Sequence, residues 1–182
     1  MQRNRKNIFT TKALTFSAAS IAIAFILSLF TVFKMPQGGS VKLFSMFFVC
    51  LPGYFFGPVI GILSSVSYGI LDLILNPYIT HPAQLILDYI LAYGALGLSG
   101  FFMGKKHGLY LGYLTGVFGR FVFSTLSGVI FFYMYAGEQN VWVYSSIYQI
   151  QYIGIEAAIT MVVILLPVFK NGIERVRRLV VN

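Results

Sequence analysis

Apolar residues run in six long stretches along this chain, at about 12–33, 43–58, 60–76, 83–103, 108–134 and 142–169, with short polar or glycine- and proline-bearing breaks between them. Each stretch approaches the roughly 20 residues a helix needs to cross a bilayer, so the pattern predicts six membrane-spanning helices. The breaks carry turn chemistry: KMPQGGSVK from Lys34 to Lys42, Gly57-Pro58, the polar loop from Asn76 to Pro82, GKKHG at 104–108 and the link from Ala136 to Val141. The first stretch follows basic residues, as a secretory signal core would. It is too long for one and no small-residue cleavage pattern follows it, so it reads as an anchor.

Composition agrees with the pattern. Of 182 residues 58% are hydrophobic and 10% charged, and the mean hydropathy is +0.81. These values predict an all-α integral membrane protein: one six-helix bundle over residues 1–182 with no length left for a soluble, ATP-hydrolysing domain. The net charge of +8 does not point to nucleic acid, because the basic residues gather at the chain ends and in one loop. With six spans, both termini and the second and fourth loops share one side. That side collects Arg3, Arg5, Lys6, Lys12, Lys105, Lys106, Lys170, Arg175, Arg177 and Arg178, against Lys34 and Lys42 opposite. The positive-inside rule therefore predicts both termini in the cytoplasm. Cys50, the single cysteine, excludes an internal disulfide and reads as a small hydrophobe.

The segment HPAQLILDYILAYGALGLSG, residues 81–100, breaks the apolar pattern with His81, Gln84 and Asp88 on one helical face. A carboxylate within a membrane span is costly without a partner, so Asp88 is the leading candidate for function. Tyr78, Tyr89, Phe132, Trp142, Tyr144 and Tyr148 fall at comparable depth, with Ser124 and Gln149 deeper. Aromatic walls around one carboxylate suit a small, flat, cationic or amino-bearing ring. Taken singly, each aromatic reads more readily as interfacial belt or packing than as a ligand contact, and only their convergence with Asp88 favours a site. Arg120 and Glu156, at similar depth in the fifth and sixth spans, are expected to pair, leaving Asp88 free, and Asp72 is expected to reach water. His81 and His107 lack nearby ligand-spaced partners, so no metal site is expected. Phosphate-cradling, HExxH, GxSxG and cysteine-cluster motifs are absent, which argues against an enzyme and gives no cofactor motif.

MPQGGS at 35–40, FFGPVIGILSSVSYGILDL, HPAQLILDYILAYGALGLSGFF, RFVFSTLSGVIFF and YAGEQNVWVYSSIYQ, in this order over nearly the whole chain, resemble the thiamine-specific S-component family of bacterial energy-coupling-factor vitamin transporters. The resemblance implies a six-helix bundle that binds thiamine or a closely related small heterocycle near the outer face. A separate module of one transmembrane coupling subunit and two ATPases would supply the energy. It places the family's helix-four carboxylate on Asp88, with Tyr89 beside it and Tyr78 a loop earlier, and its aromatic wall on Phe132 and Tyr144. The same neighbourhood includes Gln84, Ser124, Tyr148 and Gln149. The loop of Pro36, Gln37, Gly38, Gly39 and Ser40 would close over the ligand. Three positions depart from the family pattern: Ser124 replaces a His, Gln149 an Asn and Asp88 a Glu. On the first helix Ala18 and Ala22, with Ala24 and Ser28 nearby, form a stripe of small residues that suits either internal packing or close approach of another helix. The resemblance favours docking of the coupling subunit on Ala18 and Ala22. A stand-alone carrier or channel for a small organic cation is the alternative, but no internal repeat of the kind such carriers show is visible.

Overall fold

The structure, a computed structural model, describes residues 8–35 and 39–181. Pro36, Gln37 and Gly38 of the expected lid lie outside the described residues, as do Arg3, Arg5 and Lys6. Helix α1 spans Thr11–Leu29, and Thr10 caps it by accepting from the Ala13 N–H at 3.2 Å. The first apolar stretch was expected to stay helical to residue 33. Instead the chain turns at Phe30, and Thr31–Lys34 form strand β1, paired antiparallel with β2, Ser40–Lys42. The run Thr31-Val32-Phe33 explains the departure, since β-branched and aromatic residues favour extended backbone. The fold is therefore mostly helical with one small hairpin, not all-α.

Helices α2 (Ser45–Phe56) and α3 (Pro58–Leu75) meet at Gly57, whose φ of 95° only glycine adopts without strain. Pro58 then starts α3, where its missing N–H has no helical partner to lose. Helix α4, Ile86–Phe102, changes character along its length: Ile86–Leu91 is a π-helical turn and Ala95–Phe102 a 3₁₀ segment. Helix α5 runs over Gly108–Phe131 and α6 over Val141–Leu165, the latter with a π turn at Ile150–Gly154. Leu166, extended ahead of Pro167, ends α6 short of the expected 169, and a separate helix α7 covers Pro167–Val181. Glycines let the middle helices touch: a Cβ on Gly61 would collide with the Gly53 backbone of α2 and the Gly97 carbonyl of α4.

Four helices, α1, α3, α5 and α6, are long and apolar enough to cross a membrane. The second and fourth expected spans are shorter as helices. At 12 residues α2 reaches only about 18 Å, below the ~30 Å hydrocarbon thickness. Its buried residues nonetheless form the centre of the core: Phe47 and Phe55 are fully buried, with Tyr113 of α5 and Tyr68 of α3 packed into the same cluster.

Candidate functional site

A cavity of about 680 Å³ opens between the hairpin and helices α3 to α6. Its lining includes Asp88, Tyr89, Tyr78, Gln84, Ser124, Phe132, Tyr144, Tyr148 and Gln149. Gly39 and Ser40, the described part of the expected lid, line it as well. His81 does not; its ring stacks on Phe131 with centroids 5.2 Å apart, and its Nδ1 accepts from the Ala83 N–H. Trp142 also lies off the lining and is exposed.

Asp88 and Tyr89 sit on the π-helical turn of α4, and Gln149 directly precedes that of α6. Such turns recur at functional sites because the widened backbone re-aims side chains. Gln84, one turn before Asp88, is buried and has both ends of its amide bonded. Its Oε1 accepts from the Thr80 N–H and hydroxyl, both at 2.9 Å, while its Nε2 donates to the Tyr78 carbonyl at 3.1 Å and to Asp88 Oδ2 at 2.9 Å. Gln84 thus ties the 76–80 loop to the carboxylate. Tyr89 does the same from the other side, its hydroxyl accepting from the Tyr78 N–H at 2.9 Å. The Tyr78 ring then stacks on Phe132 with centroids 6.1 Å apart. Opposite, Tyr144, Tyr148 and Tyr152 form a ladder, with centroids 6.4 and 5.9 Å apart, and the Tyr148 hydroxyl accepts from the Gly39 N–H at 3.3 Å. The hairpin is thereby fastened to α6.

Two charge expectations are corrected. Asp72 does not reach water: it is buried, paired with Lys42 of β2 at 3.3 Å, and accepts from the Tyr93 hydroxyl at 2.6 Å and the Asn76 amide at 3.2 Å. Arg120 and Glu156 do not form the expected direct pair. Glu156 accepts from the Ser45 hydroxyl at 2.9 Å and the Met46 N–H at 3.1 Å. It therefore caps the start of α2, whose own N-cap residue, Phe44, offers no side-chain acceptor. A carboxylate at a helix start also meets the positive end of the helix dipole. Arg120 instead lies on the cavity wall, its guanidinium 4.3 Å from the Tyr93 ring centroid and its Nε without a hydrogen-bond partner. Glu156→Ala is expected to cost about 2–3 kcal/mol of stability by leaving two buried donors unpaired, and Glu156→Gln less. Thermal unfolding of the detergent-purified protein reads this directly, and equal melting temperatures for all three forms would contradict it.

With Asp72 and Glu156 held by the protein, Asp88 is the lining carboxylate that no cation pairs among the described residues. Beside it, the Gln149 Oε1 is buried without a hydrogen-bond partner and belongs to a cavity-lining residue, and the buried Ser127 hydroxyl lies on the same wall within the reach of Asp88. The Gln149 amide nitrogen is used, donating to the Ser124 carbonyl at 3.0 Å. Ser127, Tyr93, Tyr152, Lys42 and Asp72 were not singled out from the sequence as ligand contacts. For Ser127 the signal was present, since Arg120, Ser124 and Ser127 recur at helical spacing on one face of α5. Gly128 shapes the same wall: a Cβ there would run into the Ser145 hydroxyl. The arrangement is a cavity of aromatic faces with Asp88 as its unpaired carboxylate and the Gln149 Oε1 open, and no group of ≥ 3 His, Cys, Asp or Glu is set to hold a metal among the described residues.

Comparison with known proteins bears on what such a pocket recognises. The model of the thiamine transporter protein family (Thia_YuaJ) matches residues 14–174. The thiamine transporter ThiT of Bacillus subtilis is 28% identical over 167 residues, which cover 84% of this chain and 85% of that protein. A solved structure of ThiT from Listeria monocytogenes superposes with a TM-score of 0.67 at 20% identity, covering 83% of this chain and 87% of that one. The last likeness is one of fold.

Proposed function

The chain belongs to the thiamine transporter protein family, and on that premise we propose that it is the substrate-binding membrane subunit, or S-component, of an energy-coupling-factor importer. The family is one of transporters, not enzymes. In this reading the protein is a multi-pass membrane protein with six spans, both termini cytoplasmic, and the cavity open toward the outside. Helices α2 and α4 complete the six by packing within the bundle.

The observation that carries the reading is the cavity itself. Thiamine is a flat aminopyrimidine joined to a cationic thiazolium. Tyrosine and phenylalanine faces attract a cationic ring, and Asp88 supplies the opposite charge in a site where water does little screening. Gln84 and Tyr89 act as positioning residues for Asp88 and for the loop bearing Tyr78. The Gln149 Oε1 offers hydrogen-bond capacity that the protein leaves unfilled, and a bound ligand fills it, with the Ser127 hydroxyl beside Asp88 as a further contact. Ser124 and Gln149 stand where the family pattern has His and Asn, so recognition here relies on a hydroxyl and a longer amide arm. Gly39, in the described part of the expected lid, is held against Tyr148 at the edge of the cavity.

Energy comes from a partner module of one coupling subunit and two ATPases. Support for docking on α1 lies in its facing: Ala18 and Ala22 are exposed, whereas Ala24 and Ser28 are buried in the bundle. The small-residue stripe is thus two stripes, one internal and one turned outward. Thiamine accumulation by cells carrying this chain is expected to stop when the ATPase subunits are inactivated, while binding by isolated membranes persists. Accumulation that continues without them would make the chain a carrier in its own right. Ser127→Ala is expected to weaken thiamine binding roughly fivefold, the loss of one neutral hydrogen bond. Filter binding of labelled thiamine measures it, and an unchanged affinity would remove Ser127 from the ligand's contacts.

A further inference from the structure

Helix α7 is too polar to span a membrane, yet it begins two residues after the 25-residue apolar helix α6 ends. Its inward face is fully engaged. The Phe169 ring lies 5.5 Å from that of Phe47, Lys170 sits 5.7 Å above the Tyr110 ring, and Arg177 sits 4.9 Å above Tyr54. Glu174 accepts a short hydrogen bond from the Tyr54 hydroxyl and pairs with Arg177 at 3.8 Å. Residues 169, 170, 173, 174 and 177 therefore fix the helix against the bundle.

The outward face has no such use. Val168, Val176 and Leu179 recur at helical spacing and are 86%, 40% and 73% exposed. Arg175 and Arg178 flank this strip, and neither has a carboxylate at ion-pair distance among the described residues. The strip also continues upward into Leu165 and Leu166, exposed residues at the end of α6 and the start of the break. An apolar strip that runs on from a membrane-spanning surface, and is edged by unpaired arginines where the chain leaves the hydrocarbon, matches the order of acyl chain and then phosphate in a lipid.

We propose that the outward face of α7 is a binding surface for anionic phospholipid, with Arg175 and Arg178 on the headgroup phosphate and Val176 and Leu179 against the upper acyl chains. A protein partner is disfavoured by the continuity of the strip with the lipid-facing surface of α6. The site holds α7 at the membrane surface independently of ligand in the cavity.

The test places a fluorophore on Leu179→Cys in the full-length protein reconstituted into nanodiscs; Cys50 is buried and does not compete for label. Spin-labelled phosphatidylglycerol at a given mole fraction is expected to quench the probe at least about fivefold more effectively than spin-labelled phosphatidylcholine, since a single cation near a headgroup already confers that preference and two are placed there. Arg175→Gln with Arg178→Gln is expected to equalise the two lipids, and Arg175→Lys with Arg178→Lys to retain the preference. Thiamine binding, read on the same samples, reports that each variant is folded. Equal quenching by the two lipids with both arginines in place overturns the proposal, as does quenching by neither. A probe that lies in water until the ATPase module is added overturns it in favour of a protein occupant.

Discussion

Asp88→Asn is expected to weaken thiamine binding by roughly 100-fold while leaving the fold intact, since a charge-assisted contact in a desolvated site is worth about 2–3 kcal/mol. The substitution is nearly isosteric. Asparagine can still accept from the Gln84 amide, the bond that Asp88 makes at 2.9 Å, so the tie between α4 and the 76–80 loop survives. What disappears is the negative charge facing the cavity. Asp72 cannot replace it, being paired with Lys42 and bonded to Tyr93, and Glu156 cannot, because it caps α2. Equilibrium dialysis with labelled thiamine separates the outcomes: a large loss of affinity in a variant with an unchanged melting temperature supports the role, and an affinity within a few-fold of the parent rules it out.

Ala18→Trp with Ala22→Trp is expected to abolish thiamine uptake and leave thiamine binding unaltered. Both alanines face outward from α1, so the indoles enter lipid and not the core. The buried side of the same helix, Ala13, Ser17, Ser20, Ala24 and Ser28, keeps its packing. A close helix approach in the membrane tolerates only small side chains, and two indoles hold the coupling subunit away. Uptake and binding measured on the same cells give the split. Normal transport by the double variant would place the docking surface elsewhere.

The fold was legible where length and polarity decide it. Helices α1, α3, α5 and α6 are long apolar runs bounded by turn residues, and each emerges close to its expected position. The end of α1 was not legible, because Thr31-Val32-Phe33 is as apolar as the helix before it and hydrophobicity does not separate a strand from a helical turn. The π and 3₁₀ segments of α4 were likewise hidden: they are changes in hydrogen-bond register, which polarity does not encode. Within the site, Asp88 stood out as a carboxylate inside an apolar stretch, and of the aromatics placed at its depth all but Trp142 line the cavity with it. The fates of Asp72 and Glu156 did not, since their partners Lys42 and Ser45 lie 30 and 111 residues away along the chain. Arg120 and Glu156 matched in depth, but depth along two helices does not fix which faces meet. For Ser127, its place one helical turn after Ser124 was sufficient signal.

The central claim, that this cavity binds thiamine through Asp88, is tested most directly by calorimetric titration of the detergent-purified chain. Calorimetry is preferable to intrinsic fluorescence because the single tryptophan, Trp142, is 57% exposed and lies off the cavity lining. The account predicts a saturable heat at one thiamine per chain that collapses in Asp88→Asn. Absence of heat with thiamine, or an equal isotherm for the variant, would contradict it.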